Sequence, residues 1–376
     1  MSNKKILISI HDDWELLGNG LGNVASHQYL PSLFLMKLAD KYGFKPTFMV
    51  DTAQAIAYEK YAEKCQNIAT QFSLWKKNIQ LMKLNGHDVQ LHIHPQWLYS
   101  DYNNNYFTVD NRYNIGLYSK DEQEYLISAG IKLLKDLLVD IDSKYKTIAF
   151  KAGGWGLQPS ESLMKIFDKN GISIVLGPRK KLIRKSLNID YSKLEEDTFP
   201  YYPNINNIVQ IGPKSNTIIL PLTYVKIDLY NQIRLIKDSL YSTYNQKYND
   251  QYLNYSSPPK NISNKNHYSF ISRFQEMKLY KNKYYSHLKI GGKSYKFMIN
   301  CFEQAINRYI KQGLYNVPMI IESHTKNYFG RYNDLDMFFK FILDKYSHKI
   351  EFVYLSDIKN LIAENNILVK KNESID

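Results

Sequence analysis

Gly86-His87-Asp88-Val89-Gln90-Leu91-His92-Ile93-His94-Pro95 is the stretch on which the reading of this chain turns. An amphipathic segment precedes it, with apolar residues at Phe72, Trp75, Ile79 and Met82, and Asn85-Gly86 supplies a helix stop. Beyond that stop the chain reads as a strand running out into a loop. Residues i and i+2 of a strand share a face, so His92 and His94 are expected to point the same way. Two imidazoles side by side at a strand end are half of a metal site. A bare H-x-H is a weak signal, and its weight depends on what stands at the ends of the other strands.

Upstream, Pro31 opens a helix that Gly43 closes, and Pro46 to Val50 forms a strand. Further upstream, Lys5 to Ile10 reads as a buried strand that ends in His11-Asp12-Asp13-Trp14-Glu15. The loop Gly18-Asn19-Gly20-Leu21-Gly22 lacks the third glycine of a phosphate-binding fingerprint, and no strand directly precedes it. Downstream, Ser119 and Glu122 form a capping box for a helix carrying Leu126, Leu133, Leu134, Leu137 and Leu138. Thr147 to Phe150 is a strand ending in Lys151-Ala152-Gly153-Gly154-Trp155. Further strands are expected at 172–176, 217–220, 317–321 and 350–354. Such alternation of strand and helix argues for a parallel sheet or barrel. Four clusters, His11 to Asp13, His92 to His94, Lys151 to Trp155 and Glu322 to His324, each stand where a strand has just ended. In a parallel barrel those ends meet on the face where active sites sit.

The 376 residues suit a single large α/β domain, and 44% apolar content allows a substantial core. A net charge of +13 raises the question of acidic partners, but no basic helix or RNA-binding signature turns it into nucleic-acid recognition. Cys65 and Cys301 are far apart and outside any C-x-x-C, which argues against a disulfide scaffold and for a reducing compartment. The apolar run after Lys4-Lys5 is too short for a signal peptide, and no stretch is long enough to span a bilayer. A soluble cytoplasmic protein is expected. Residues 237–300 differ from the rest, with 11 Lys/Arg against 3 Asp/Glu and many Tyr and Asn. They read as an insertion of loops and short helices within the one domain, expected to pack over the barrel mouth and attract an acidic glycan. His267, His287 and His348 have no motif context.

The pattern resembles the polysaccharide deacetylases, the NodB-homology group of carbohydrate esterases. Ile10-His11-Asp12-Asp13 is similar to their first motif, and Lys45-Pro46-Thr47-Phe48-Met49-Val50 to their second strand. Gly86-His87-Asp88-Val89 with His92 and His94-Pro95 resembles their histidine motif in a shortened form. Phe150-Lys151-Ala152-Gly153-Gly154-Trp155 and Ser323-His324 are similar to later motifs. The resemblance covers about 5–176 and 315–362. It implies an irregular (β/α)7 barrel and a divalent metal, most often zinc, held by Asp13, His92 and His94. It implies Asp12 as general base, His324 as general acid, and Lys151 as the basic partner of Asp12, where the family usually has arginine. Trp97, Trp155 and Gly154 are the expected substrate contacts, the tryptophans as sugar-stacking faces. The activity implied is removal of an N-acetyl group from an amino sugar of a surface polysaccharide, lipopolysaccharide or precursor. Amide hydrolysis has matching needs: an activated water, a carboxylate to take its proton, and an acid for the leaving nitrogen. Two rivals stand beside it. Two histidines and a carboxylate also suit a non-haem iron enzyme. Lys151 and the shortened histidine motif would equally suit an inactive barrel that binds glycan or a glycosyltransferase partner.

Overall fold

The computed structural model describes residues 4–228, 231–235 and 284–372. Its frame is a sheet of parallel strands: β1 (Ile6–Trp14), β2 (Pro46–Asp51), β3 (Asp88–Ile93), β4 (Ala149–Ala152), β5 (Ile174–Leu176), β6 (Ile218–Leu220), β9 (Met319–Ser323) and β10 (Ile350–Phe352). Hydrogen bonding runs β6-β5-β4-β3-β2-β1-β9, and β10 pairs with the start of β1. The helices α1 (Leu30–Tyr42), α2 (Thr52–Ala62), α3 (Gln66–Leu84), α4 (Lys120–Leu138), α5 (Glu161–Lys169), α6 (Tyr295–Gln312), α7 (Tyr332–Tyr346) and α8 (Asp357–Ala363) lie between or after the strands. The result is a nearly closed, irregular (β/α)7 barrel, as expected.

The strand faces separate into two apolar clusters. Ile8, Ile10, Phe48, Val50, Val89, Leu91 and Phe150 pack outward, with helix residues such as Leu35, Trp75 and Leu134. Met49, Ala149, Ile174, Leu176, Leu220 and Ile320 form a smaller cluster on the opposite, inward face. Alternation along each strand carries that inward face on to Asp51, His92, Lys151 and Glu322 at the C-terminal ends. The barrel interior is therefore apolar in its middle and charged at one mouth.

β1 is longer than the sequence pattern suggests. Parallel pairing with β2 at Ile10–Trp14 and with β9 at Ile8–Asp12 carries the ladder through the acidic stretch. His11 and Asp13 consequently face inward with Ser9, whereas Asp12 shares the outward face with Ile10 and Trp14. A one-residue step along a strand reverses the face, so this extension decides which aspartate enters the mouth.

β6 and β9, the ends of the strand order, are not paired with each other. A short antiparallel pair, β7 (Tyr224–Ile227) and β8 (Tyr284–His287), lies beside them. The chain leaving β8 bridges the seam. Leu288 N–H donates to Thr223 O (2.6 Å), Glu322 N–H to Leu288 O (3.0 Å) and Ile290 N–H to Glu322 O (2.8 Å). Most of the insertion expected at 237–300 lies outside the described residues. Its last part, 284–300, is β8, this bridge and the start of α6. No helix among the described residues is long and apolar enough to cross a membrane.

Candidate active site

Several strand ends meet at the mouth, and three of them bring both carboxylates and histidines or a histidine pair. β1 brings Asp13, with Glu15 just beyond its end. β3 brings His92 and, one residue past it, His94. β9 brings Glu322 and then His324. His92 and His94 do converge, with ring centroids 4.9 Å apart. The carboxylate that joins them is Glu15: its Oε2 lies 3.1 Å from His92 Nε2 and in still closer contact with His94 Nε2. Among the described residues, Glu15, His92 and His94 form one group able to share an ion, and Asp13, Glu15 and His324 form another. The expected set is Asp13 with both histidines; the carboxylate that lies against both rings is Glu15, which the β1 extension puts on the same face as Asp13. Asp13 turns to Lys151 and His324 instead.

The donor chemistry of the first group fits a cation. His92 Nδ1–H donates to the Lys151 carbonyl (2.8 Å), so a neutral His92 presents the lone pair of Nε2 to the Glu15 carboxylate. Two such atoms 3.1 Å apart repel unless a proton or a metal ion lies between them. Histidine and carboxylate ligands about 2.0–2.2 Å from a common ion bring donor atoms to about this separation. The backbone fixes the ligands. Asp51 Oδ1 accepts from His94 N–H (3.0 Å), and the Gln96 amide sits 2.9 Å from His94 Nδ1. Gly153 lies so close to His94 that a Cβ there would be 2.7–2.9 Å from ring atoms. The Lys326 ammonium holds the other Glu15 oxygen and also donates to Leu16 O (3.1 Å). Supporting contacts of this kind orient metal ligands.

Lys151 is the centre of the neighbouring network. It is 1% exposed, and its ammonium donates to Asp13 Oδ2 (2.6 Å), Glu322 Oε2 (2.6 Å) and His11 Nε2 (2.9 Å). Three donors meet three acceptors, a pattern suited to a lysine rather than to a planar guanidinium fork. Its partner among the two aspartates is Asp13, where the family resemblance implied Asp12. Burial alone would raise the Asp13 carboxyl, but Lys151, then His324 and His92, hold it well below the usual range. Burial would likewise raise Glu15, and His94 and Lys326 reverse this. For His324, burial opposes the charge, yet Asp13 and Glu322 raise its pKa above the ordinary histidine value. Its Nε2 is 3.2 Å from Asp13 Oδ2, and its side chain is 20% exposed, the most open of this group.

The remaining expectations divide. Asp12 faces away, fully buried, with Tyr328 Oη 3.5 Å from its Oδ1. Burial pushes its carboxyl up to about 7, against hydrogen bonding from Ser323. Trp155 joins the site: it adopts φ 60° and its Nε1–H donates to Glu322 Oε2 (3.3 Å). Gly154, beside it, has φ 59°. Trp97 is 2% exposed and packs its ring on Tyr58 and Phe107, surroundings of a core residue rather than a sugar platform. Sequence reasoning assigns no role to Glu15, Glu322 or His287. Glu15 is readable from the same i, i+2 rule as the histidines. His287 carries no local signal, since its neighbours arrive from distant strands.

No family model matches the chain, and no curated protein does. Among solved structures, the chain is similar over its whole length to a Mycobacterium smegmatis protein assigned as a polysaccharide deacetylase. The TM-score is 0.52 at 11% identity, covering 96% of that protein. PuuE allantoinase (TM-score 0.49, 11% identity, 98% and 93% covered) and a Pseudomonas aeruginosa PAO1 protein assigned as a polysaccharide deacetylase (0.48, 12%, 97% and 94%) are also similar. The likeness to the first of these is one of fold: both are barrels of the polysaccharide deacetylase type.

Proposed function

We propose that this chain is a metal-dependent hydrolase that removes an N-acyl group from an amino sugar of a surface polysaccharide or its precursor. The observation that carries the proposal is the juxtaposition of two sets at one mouth. Glu15, His92 and His94 would hold a divalent ion, and Asp13 with Lys151 and His324 stand beside them. Mixed nitrogen and oxygen donors suit zinc. A divalent ion held there supplies the Lewis acid that activates water and polarises the acyl carbonyl.

The protein's own groups supply the proton chemistry. Asp13, kept ionised by Lys151, has a second oxygen, Oδ1, that is buried without a hydrogen-bond partner among the described residues and is suited to accept the proton of the attacking water. His324, held protonated by Asp13 and Glu322, is placed to give a proton to the leaving nitrogen. Lys326 keeps Glu15 from rotating away from the histidines. Trp155 donates to Glu322 at the same mouth, with the Arg179 and Arg184 guanidinium groups over its ring.

The test is metal analysis of the purified protein, paired with acetate release from N-acetylhexosamine oligomers and nucleotide sugars. Asp13→Asn should keep the metal and lower turnover by about 10²–10⁴-fold, the usual contribution of a general base. Full turnover in that variant would remove Asp13 as the base. No acetate release by the metal-loaded parent from any of these substrates would overturn the deacetylase reading.

A further inference from the structure

Glu322 is a buried carboxylate with more partners than a metal-dependent hydrolysis requires. One oxygen accepts from Lys151 and Trp155. The other, Oε1, accepts from His287 Nε2–H at 2.5 Å and lies 3.7 Å from His324 Nδ1. His287 is the last residue of β8, and the seam bridge after it pairs with the backbone of Glu322 itself: Lys289 and Glu322 form a parallel bridge. The imidazole is nearly enclosed, with its ring 5.3 Å from Trp155 in an edge-on arrangement. Burial, which outweighs the pull of Glu322, lowers its pKa to about 3, so the ring is neutral and its one proton sits on Nε2. Its Nδ1 is buried with no hydrogen-bond partner among the described residues.

That unpartnered nitrogen argues against a purely structural residue. A buried unsatisfied nitrogen costs about 1–3 kcal/mol, and a leucine would fill similar space without the penalty. What the imidazole does supply is one N–H that fixes Oε1, the carboxylate oxygen that Lys151 and Trp155 do not hold.

We propose that His287 is a positioning residue for the hydrolytic site, fixing Glu322 so that Lys151 is held against Asp13. The inference rests on the assignment of Asp13 as the base. It also makes the segment that re-enters the barrel after the insertion part of the working site rather than a cover. Without the His287 contact, Glu322 is held at Oε2 alone, the carboxylate plane can swing about that anchor, and the alignment of Lys151 with Asp13 loosens.

The experiment compares His287→Leu with His287→Gln in the full-length, metal-loaded chain. The glutamine amide nitrogen reaches about where Nε2 stands, so it can donate to Glu322, and leucine cannot. kcat for acetate release should fall in His287→Leu by up to about 10²-fold, the scale of a misplaced catalytic group, with KM unchanged. His287→Gln should recover most of it. Parent-like kcat in His287→Leu overturns the proposal, and so does equal loss in both variants. The ¹⁵N-histidine spectrum gives a readout independent of turnover. His11 accepts from Lys151, so its ring signals should shift in His287→Leu and stay in place in His287→Gln. If the parent releases no acetate, the deacetylase reading fails on its own, and the His11 signals still decide whether His287 positions Lys151. Unshifted signals in His287→Leu overturn that.

Discussion

Replacing Lys151 with methionine removes the ammonium that two buried carboxylates share while keeping the length of the side chain. The ammonium makes contacts of 2.6 Å to both Asp13 and Glu322 and is itself almost unexposed. Breaking one buried pair by deleting a partner costs about 3–5 kcal/mol. Two carboxylates lose their partner here, but one proton shared between them relieves part of the repulsion. A loss of about 3–5 kcal/mol near pH 7.5 is therefore expected, rather than twice that. The dependence on pH is the sharper part. In the parent, Asp13 and Glu322 are held below their unfolded values of 3.8 and 4.5, so their contribution is present above that range and fades as pH falls. In Lys151→Met, burial opposed by His324 but no longer by Lys151 raises the carboxyls, and the pair then shares a proton. Their contribution is then full in acid and is lost as pH rises. The stability gap between parent and variant should be small near pH 4 and widen steadily toward neutrality. Denaturant unfolding at several pH values measures it directly. A gap that is flat with pH, or below about 1 kcal/mol at neutral pH where a broken buried pair should show its full cost, would refute the claim that Lys151 neutralises this pair.

Glu15→Ala should lose bound metal and turnover together, whereas Asp12→Asn should retain both; elemental analysis and acetate release separate the two carboxylates. Asp12→Asn should also become more stable relative to the parent as pH rises from about 4 through 7. The raised Asp12 carboxyl contributes stability that is full below its unfolded value and lost as pH passes its folded value of about 7. Melting temperatures near pH 5 and above pH 8 would show it, and an unchanged difference would contradict the burial of that group. Gly153→Ala should push on the His94 ring and weaken metal affinity by about 10–100-fold, as loss of ligand support does; competition with a chelator reads this, and parent-like affinity would mean the loop yields.

The barrel is legible in the sequence because apolar strands and amphipathic helices alternate through most of the chain, and each chemical cluster comes directly after a strand. The pairing of His92 with His94 is legible from strand periodicity alone. The assignment of ligand and base around Asp12 and Asp13 is not. It depends on whether β1 stops at Ile10 or continues to Trp14, and pairing with residues near 48 and 321 decides that. Carrying β1 onward by the rule that governs the histidines puts His11, Asp13 and Glu15 on one face. Trp97 shows the opposite limit: a tryptophan after a strand end looks like a sugar platform until Phe107 and Tyr58 are seen against it. His287 is unreadable for a physical reason, since its role comes from a backbone bridge to Glu322 that no local pattern encodes.

Pairing of β1 with β9 matches Ile8 to Met319. A ribosome adding about 5–20 residues per second reaches that partner roughly 15–60 s after making β1. For that interval β1 has β2 on one side and an open edge on the other. Open edges recruit foreign strands, and charged residues along them discourage it. Asp12, whose buried carboxyl is costly in the finished protein, lies on this edge and pairs with Ser323 only when β9 arrives. A charge at that position weighs against a foreign strand for as long as the edge stays open, and it is buried only once the native partner has arrived.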